Sequence, residues 1–108
     1  MKNRLVYIRH ILDAADKIAS YIANGKAEYN AKTYLQDAVI RQLEIIGEAS
    51  KHIEEAFRAK HPSVPWKRMT GLRDVLIHDY MGVDPEIVWN VAHDILPEIQ
   101  KEIRKIAG

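Results

Sequence analysis

Cysteine is absent from all 108 residues, which excludes disulfide scaffolds, thiol nucleophiles and cysteine-based zinc sites. Neither sign of charge is in excess. Sixteen Lys and Arg face fifteen Asp and Glu for a formal net charge of +1. That balance argues against nucleic-acid binding by bulk charge and leaves any such partner to a local patch. No apolar run approaches the ~18 residues of a membrane span, and the first ten residues carry no signal-peptide pattern. Nothing alternates with period two over a strand's length, and no repeat or low-complexity tract occurs. A phosphate-cradling glycine loop, a GxSxG elbow and an HExxH pair are all missing. With 47% hydrophobic and 29% charged residues, the chain is neither disordered nor fibrous. The expectation is one soluble, cytoplasmic domain over residues 1–108, without membrane association, that buries roughly two-thirds of its unfolded surface.

What is present is helical period. Leu5, Ile8, Ile11, Leu12, Ala15, Ile18, Ala19 and Ile22 form one apolar stripe on a first helix of about six turns, and Asn24-Gly25 ends it. A second long helix is expected from Thr33 to Ala59, with Leu35, Val39, Leu43, Ile46, Ala49, Ser50, Ile53, Ala56 and Phe57 along its stripe and Pro62 as its stop. His61 to Gly71, with two prolines and a tryptophan, reads as a structured connector. A short helix from Leu72 to Tyr80, closed by Gly82, follows. Asp84-Pro85-Glu86 is a strong start signal for the last helix. Pro97 should kink that helix. The fold class is all-α, an antiparallel four-helix-bundle-like domain. Its stripes look too extensive for one small chain to cover, so a dimer is expected.

Among the titratable residues, His93-Asp94 reads as a solvated helix position. Glu48, His52 and Glu55 share a helix face, yet the second Glu-x-x-His that a dimetal site requires is missing. No metal and no cofactor is expected. Trp66 reads as a core anchor for the connector, and Trp89 as packing or interface.

One constellation stands apart: RDVLIHDY, Arg73 to Tyr80. The guanidinium of Arg73 can clasp a phosphate through its planar fork. The imidazole of His78 can move protons near neutral pH. Tyr80 offers a hydroxyl and a stacking face. Such a set can cleave a phosphodiester without metal, the imidazole exchanging protons with the ribose hydroxyl or the leaving oxygen while the guanidinium holds the charged centre. The chain's own composition gives about 0.015 chance occurrences of R-x4-H-x-Y. On an ideal helix His78 lies about 140° from Arg73. Either the helix ends before His78, or the site is completed from elsewhere, for example by a second copy of the chain. Two facing motifs would create a positive cleft that the net charge conceals, and Lys67, Arg68 and Arg41 could enlarge it.

RDVLIHDY, the MGVDPEIVW that follows it, the preceding PSVPWKRMTGL and the AVIRQLEIIGEASKHI of the second helix together resemble the HepT-like family of HEPN-domain ribonuclease toxins. The resemblance runs from about residue 3 to residue 105. It implies an α-helical bundle, a homodimer or larger assembly with the motif near the interface, and metal-independent endoribonuclease activity on RNA. It further implies a cognate nucleotidyltransferase antitoxin that transfers AMP to the motif tyrosine. Carried over by position, Arg73 and His78 are the catalytic pair and Tyr80 the AMP acceptor. Asp74 stands where that family commonly has Asn, and an extra carboxylate there could weaken RNA binding. Glu48, from the IGEA stretch, could support the site or serve as a solvated or interhelical charge. A non-catalytic helical dimer serving as adaptor or substrate of the nucleotidyltransferase is the alternative.

Overall fold

A computed structural model describes the backbone of residues 4–78 and 84–107, and the side chains of 4–72 and 84–107. Within them the chain forms α1 (Arg4–Tyr21), α2 (Lys26–Ala31), α3 (Thr33–Lys51), α4 (Glu55–Lys60), α5 (Trp66–His78), α6 (Pro85–Asn90) and α7 (Leu96–Ala107), with a π-helical segment, Val91–Ile95, joining the last two. The described residues contain no strand, as an all-α domain requires. α3 lies between α1 and α5, and α7 packs on the other flank of α1.

The 3.6-residue stripes explain this packing. Ile8, Ile11 and Ile18 of α1 meet Val39, Leu43 and Ile46 of α3, with Met69 of α5 and Ile99 and Ile103 of α7, all buried in one core. Each such side chain contributes roughly 1.5–3 kcal/mol on leaving water. The antiparallel sense of α1 and α3 is fixed at one end, where Tyr7 stacks on His52 at 5.0 Å and Arg4 pairs with Glu54 at 3.3 Å. Contrary to the expectation that one chain could not cover its stripes, nearly all of their residues are at least half buried here. Among the larger hydrophobic side chains of the described residues, Leu5, Val6, Tyr34 and Ile87 are the exposed ones.

Three boundaries differ from the sequence reading. The second helix stops at Lys51, not Ala59. The Ser50 hydroxyl donates to the carbonyl of Ile46 at 2.7 Å, competing with the backbone ladder, and Ile53 folds back into the core at 1% exposure. α4 is therefore a separate helix, and Glu55 does not share a face with Glu48 and His52. The short helix begins at Trp66, six residues before the expected Leu72. Pro65 presets a helical φ, and its carbonyl accepts from Met69 N–H at 3.0 Å. α2 is unexpected: its six residues follow Gly25, whose φ of 96° suits glycine alone.

Two signals held. The Asp84 carboxylate accepts from Glu86 N–H at 2.9 Å with Pro85 at the first helical position. The kink expected at Pro97 takes the form of the π segment, in which Leu96 N–H reaches back five residues to the Val91 carbonyl. Pro97 cannot offer His93 the usual i→i−4 donor, and widening the preceding turn relieves its ring's clash with that carbonyl.

Candidate active site

The motif's location follows from how α5 is anchored at its start. Trp66 is 7% exposed, and its indole N–H donates to the His61 carbonyl at 3.0 Å, so it is the core anchor that the connector needs. Val64 and Met69 complete this buried footing. From there α5 runs unbroken to His78. The first of the two geometric alternatives is thus excluded, because the helix does not end before His78. Arg73 and His78 lie on one helix, five residues and about 140° apart by register. Arg73, Asp74 and His78 are placed by backbone alone, while Tyr80 and Gly82 lie outside the described residues.

Beyond the motif the chain is tied down again. Tyr29 of α2 is fully buried, donates its hydroxyl to the Pro85 carbonyl at 3.0 Å and packs against Trp89 at 5.1 Å. Lys26 pairs with Glu86 beside it. Burial, then the nearby Glu86 and Asp84 charges, push the Tyr29 phenol up to about 12. The segment between His78 and Pro85 therefore leaves one anchored helix and enters another. The sequence reading passed over Tyr29 because it passed over α2. The available signal was Gly25 three residues before Glu28, a glycine opening a short helix with an acid in its first turn. Trp89 is 8% exposed and has the packing role expected of it.

The charged candidates separate by place. Glu48 lies near the α4 end of α3, where its carboxylate meets His52 at 3.3 Å. The chain reverses between α3 and α5, so this is the end of α3 from which α5 departs. Within one chain Glu48 is thus levelled with the start of α5 and not with His78. His93 and Asp94 pair with each other at 2.7 Å on the solvated side, with the His93 ring stacked on Trp89. No group of three or more potential metal ligands is gathered among the described residues. Lys67, Arg68 and Arg41 are exposed and make no salt bridge among the described residues. On the facing helix the Glu102 carboxylate is held below its usual range, first by a hydrogen bond from Ser63 and then by one from Lys105. Ser63, Pro65 and Arg68 thereby border a 400 Å³ cleft with Asp94, Glu98 and Glu102. No described helix is long and apolar enough to cross a membrane.

The family model described as "Ribonuclease HepT-like" matches residues 11–106. The chain is 39% identical over 107 residues to "Putative RNase TTE0752" of Caldanaerobacter subterraneus subsp. tengcongensis, covering 98% of this chain and 96% of that protein. It is 41% identical over 98 residues to "Putative RNase MJ1380" of Methanocaldococcus jannaschii, covering 90% of each. A third relative, "Gamma-glutamylcyclotransferase and putative RNase MJ0434" of the same archaeon, is 40% identical over 106 residues, and the chain spans 48% of its length. No solved structure matches the chain.

Proposed function

Since the chain belongs to the ribonuclease HepT-like family, we propose that it is a metal-independent endoribonuclease, the toxin of a toxin–antitoxin pair, working as a homodimer or larger assembly. The observation that carries this reading is the unbroken course of α5 through His78. By register on a single helix Arg73 and His78 fall on different sides, and a second copy is the partner we propose to complete the cleft. A two-fold axis supplies it, because the same surface then appears on both partners. In that cleft the His78 imidazole takes the proton of the attacking ribose 2′-hydroxyl or returns one to the departing 5′-oxygen. The Arg73 guanidinium holds the phosphorane's charged oxygens through paired hydrogen bonds.

Control falls to Tyr80. A cognate nucleotidyltransferase joins the Tyr80 hydroxyl oxygen to the α-phosphorus of ATP, and pyrophosphate departs with the bonding pair. The attached phosphodiester then adds negative charge beside Arg73 and repels RNA. Asp74 tempers phosphate affinity in the same place. Glu48, levelled with the other end of α5, acts in the site only across the interface.

The test is RNA cleavage in EDTA by the purified chain. His78→Ala should lose about 10²–10⁴-fold in rate, and Arg73→Lys should fail too because an ammonium lacks the bidentate fork. Undiminished cleavage by His78→Ala would sink the assignment, and growth arrest that survives the same substitution would favour the adaptor reading. Co-expression with the nucleotidyltransferase should add the mass of AMP at Tyr80 and at none of the other four tyrosines.

A further inference from the structure

The first half of α5 breaks two rules of helix construction. A helix N-terminus carries partial positive charge and favours acids, yet the first turn of α5 has no acid and presents Lys67 and Arg68, both exposed. Arg4 and Lys26 also open helices, but each has a carboxylate partner, Glu54 and Glu86. Lys67 and Arg68 have no ion pair among the described residues, although Arg68 borders the cleft that Asp94, Glu98 and Glu102 also line. The second break is Gly71, in mid-helix, where glycine costs about 0.5–1 kcal/mol relative to Ala. No packing among the described residues demands it. A methyl group placed there would meet no described atom within 4 Å.

Helical register brings these features together. Lys67, Gly71, Asp74 and His78 follow at i, i+4, i+7 and i+11, within about 60° of one another and spanning about 16 Å of the axis. Around Lys67 and Arg68 the surface opens into a hollow of 610 Å³ lined also by Pro62, Val64, Pro65 and Trp66. A face with Lys67 at one end and Arg68 about 100° round the helix from it, a residue without a side chain in its middle and the proposed proton-transfer residue at the other fits a polyanion lying close against the helix backbone.

We infer that this face of α5 is a track for the RNA backbone, with Lys67 and Arg68 holding phosphates several nucleotides from the bond cleaved at His78 and Gly71 clearing the strand's path between them. The inference rests on the ribonuclease reading. The cations and the helix's own positive end act on the phosphates together. Asp74 repels phosphate at its level and can accept from a ribose 2′-hydroxyl instead. Lys67 and Arg68 are positioning residues, distant from the reacting atoms, and so should govern KM and not kcat.

Steady-state cleavage of a fluorescently labelled single-stranded RNA tests this, alongside RNA anisotropy titrations over a salt series and light scattering for mass. Lys67→Ala with Arg68→Ala should raise KM at least tenfold, leave kcat within twofold, and flatten the slope of log affinity against log salt by about 1.4, at about 0.7 per lost contact on a single strand. Gly71→Leu should raise KM comparably, with the thermal midpoint unchanged or higher. Lys101→Ala, an exposed cation on α7, should change nothing. If the variants cleave with the parent's KM and salt slope, the track is wrong while the ribonuclease reading stands. If the variants change the assembly's mass, the face belongs to a second copy and the track is equally wrong. Should the unaltered chain neither bind nor cleave RNA, both readings fall.

Discussion

The α1–α3 pair and α5 are built from the same residue types under different constraints. Along α1 and α3 the hydrophobic pattern agrees with the fold, although neither has an acid in its first turn and α3 carries a buried Gly47 in its interior. The apolar stripes face inward, and the one cation that opens α1, Arg4, is answered by Glu54 and lies 4.7 Å from the centre of the Phe57 ring. In α5 only the footing obeys, through Trp66 and Met69. Its outer face carries cations with no ion pair among the described residues at the positive helix end, and a glycine that no contact among those residues requires. Sequences that fold well are locally consistent, and the exceptions cluster where function imposes its own demand. On the inference drawn above, the difference separates the helices shaped by stability from one shaped by a ligand.

The largest effect expected from breaking this comparison is in the consistent half. Ile46 of α3 has 0% exposure. Ile46→Ala should cost about 2–5 kcal/mol, a large share of the 5–15 kcal/mol typical of a domain, and urea unfolding measures it directly. If the cost were under 1 kcal/mol, the α1–α3 interface would not be the stabilising half.

Next comes the anchor beyond the motif. The Tyr29 phenol is pushed up to about 12 in the folded chain against an ordinary value near 10.0. Between those values the unfolded chain has released a proton that the folded chain retains. Stability should therefore be unaffected below pH 10 and fall as pH rises from 10 toward 12, by about 2 kcal/mol in all. Tyr29→Phe removes this loss, so the two proteins' urea midpoints should converge as pH rises through that window. Parallel curves would show that the phenol is not held as described.

Sequence alone carried the stripes, the Gly25 turn, the Asp84 cap and the core role of Trp66, because each depends on neighbours within a few residues. It missed what depends on distant ones. Ile53 ends α3 by turning into a core assembled from the other helices, and α2 persists because Tyr29 finds Pro85 across 56 residues. The R-x4-H-x-Y motif was readable as chemistry, and the geometric conflict between Arg73 and His78 was readable as arithmetic. The unbroken helix removes the first of its two resolutions. The role of Gly71 was not legible, since a glycine before the expected helix start looks like a boundary until α5 is seen to begin five residues earlier.

A smaller effect attends the Asp84 cap. Asp84→Ala removes the carboxylate that satisfies Glu86 N–H, and about 1 kcal/mol should be lost. α6 is only six residues long, so the loss should appear first as faster amide exchange in α6, before any change in α1 or α3. Uniform acceleration throughout the chain would mean that the two halves unfold as one unit and that the comparison holds for function alone.

The smallest effect has the opposite sign and sharpens the contrast most. Lys67→Glu puts an acid where the α5 dipole favours one, with Arg68 left beside it as a neighbour of opposite charge. The fold should gain about 0.3–1 kcal/mol at low ionic strength, and the gain should fade as salt screens it. The same substitution places a negative charge on the face along which RNA is inferred to run, so KM should rise more than it does for Lys67→Ala. A chain that becomes more stable and a poorer ribonuclease through one exposed residue, 16 Å along the helix from His78 by register, is what a helix shaped by its ligand should give. If Lys67→Glu destabilised the fold instead, Lys67 would be answering a carboxylate in the native chain, and the rule would not have been broken.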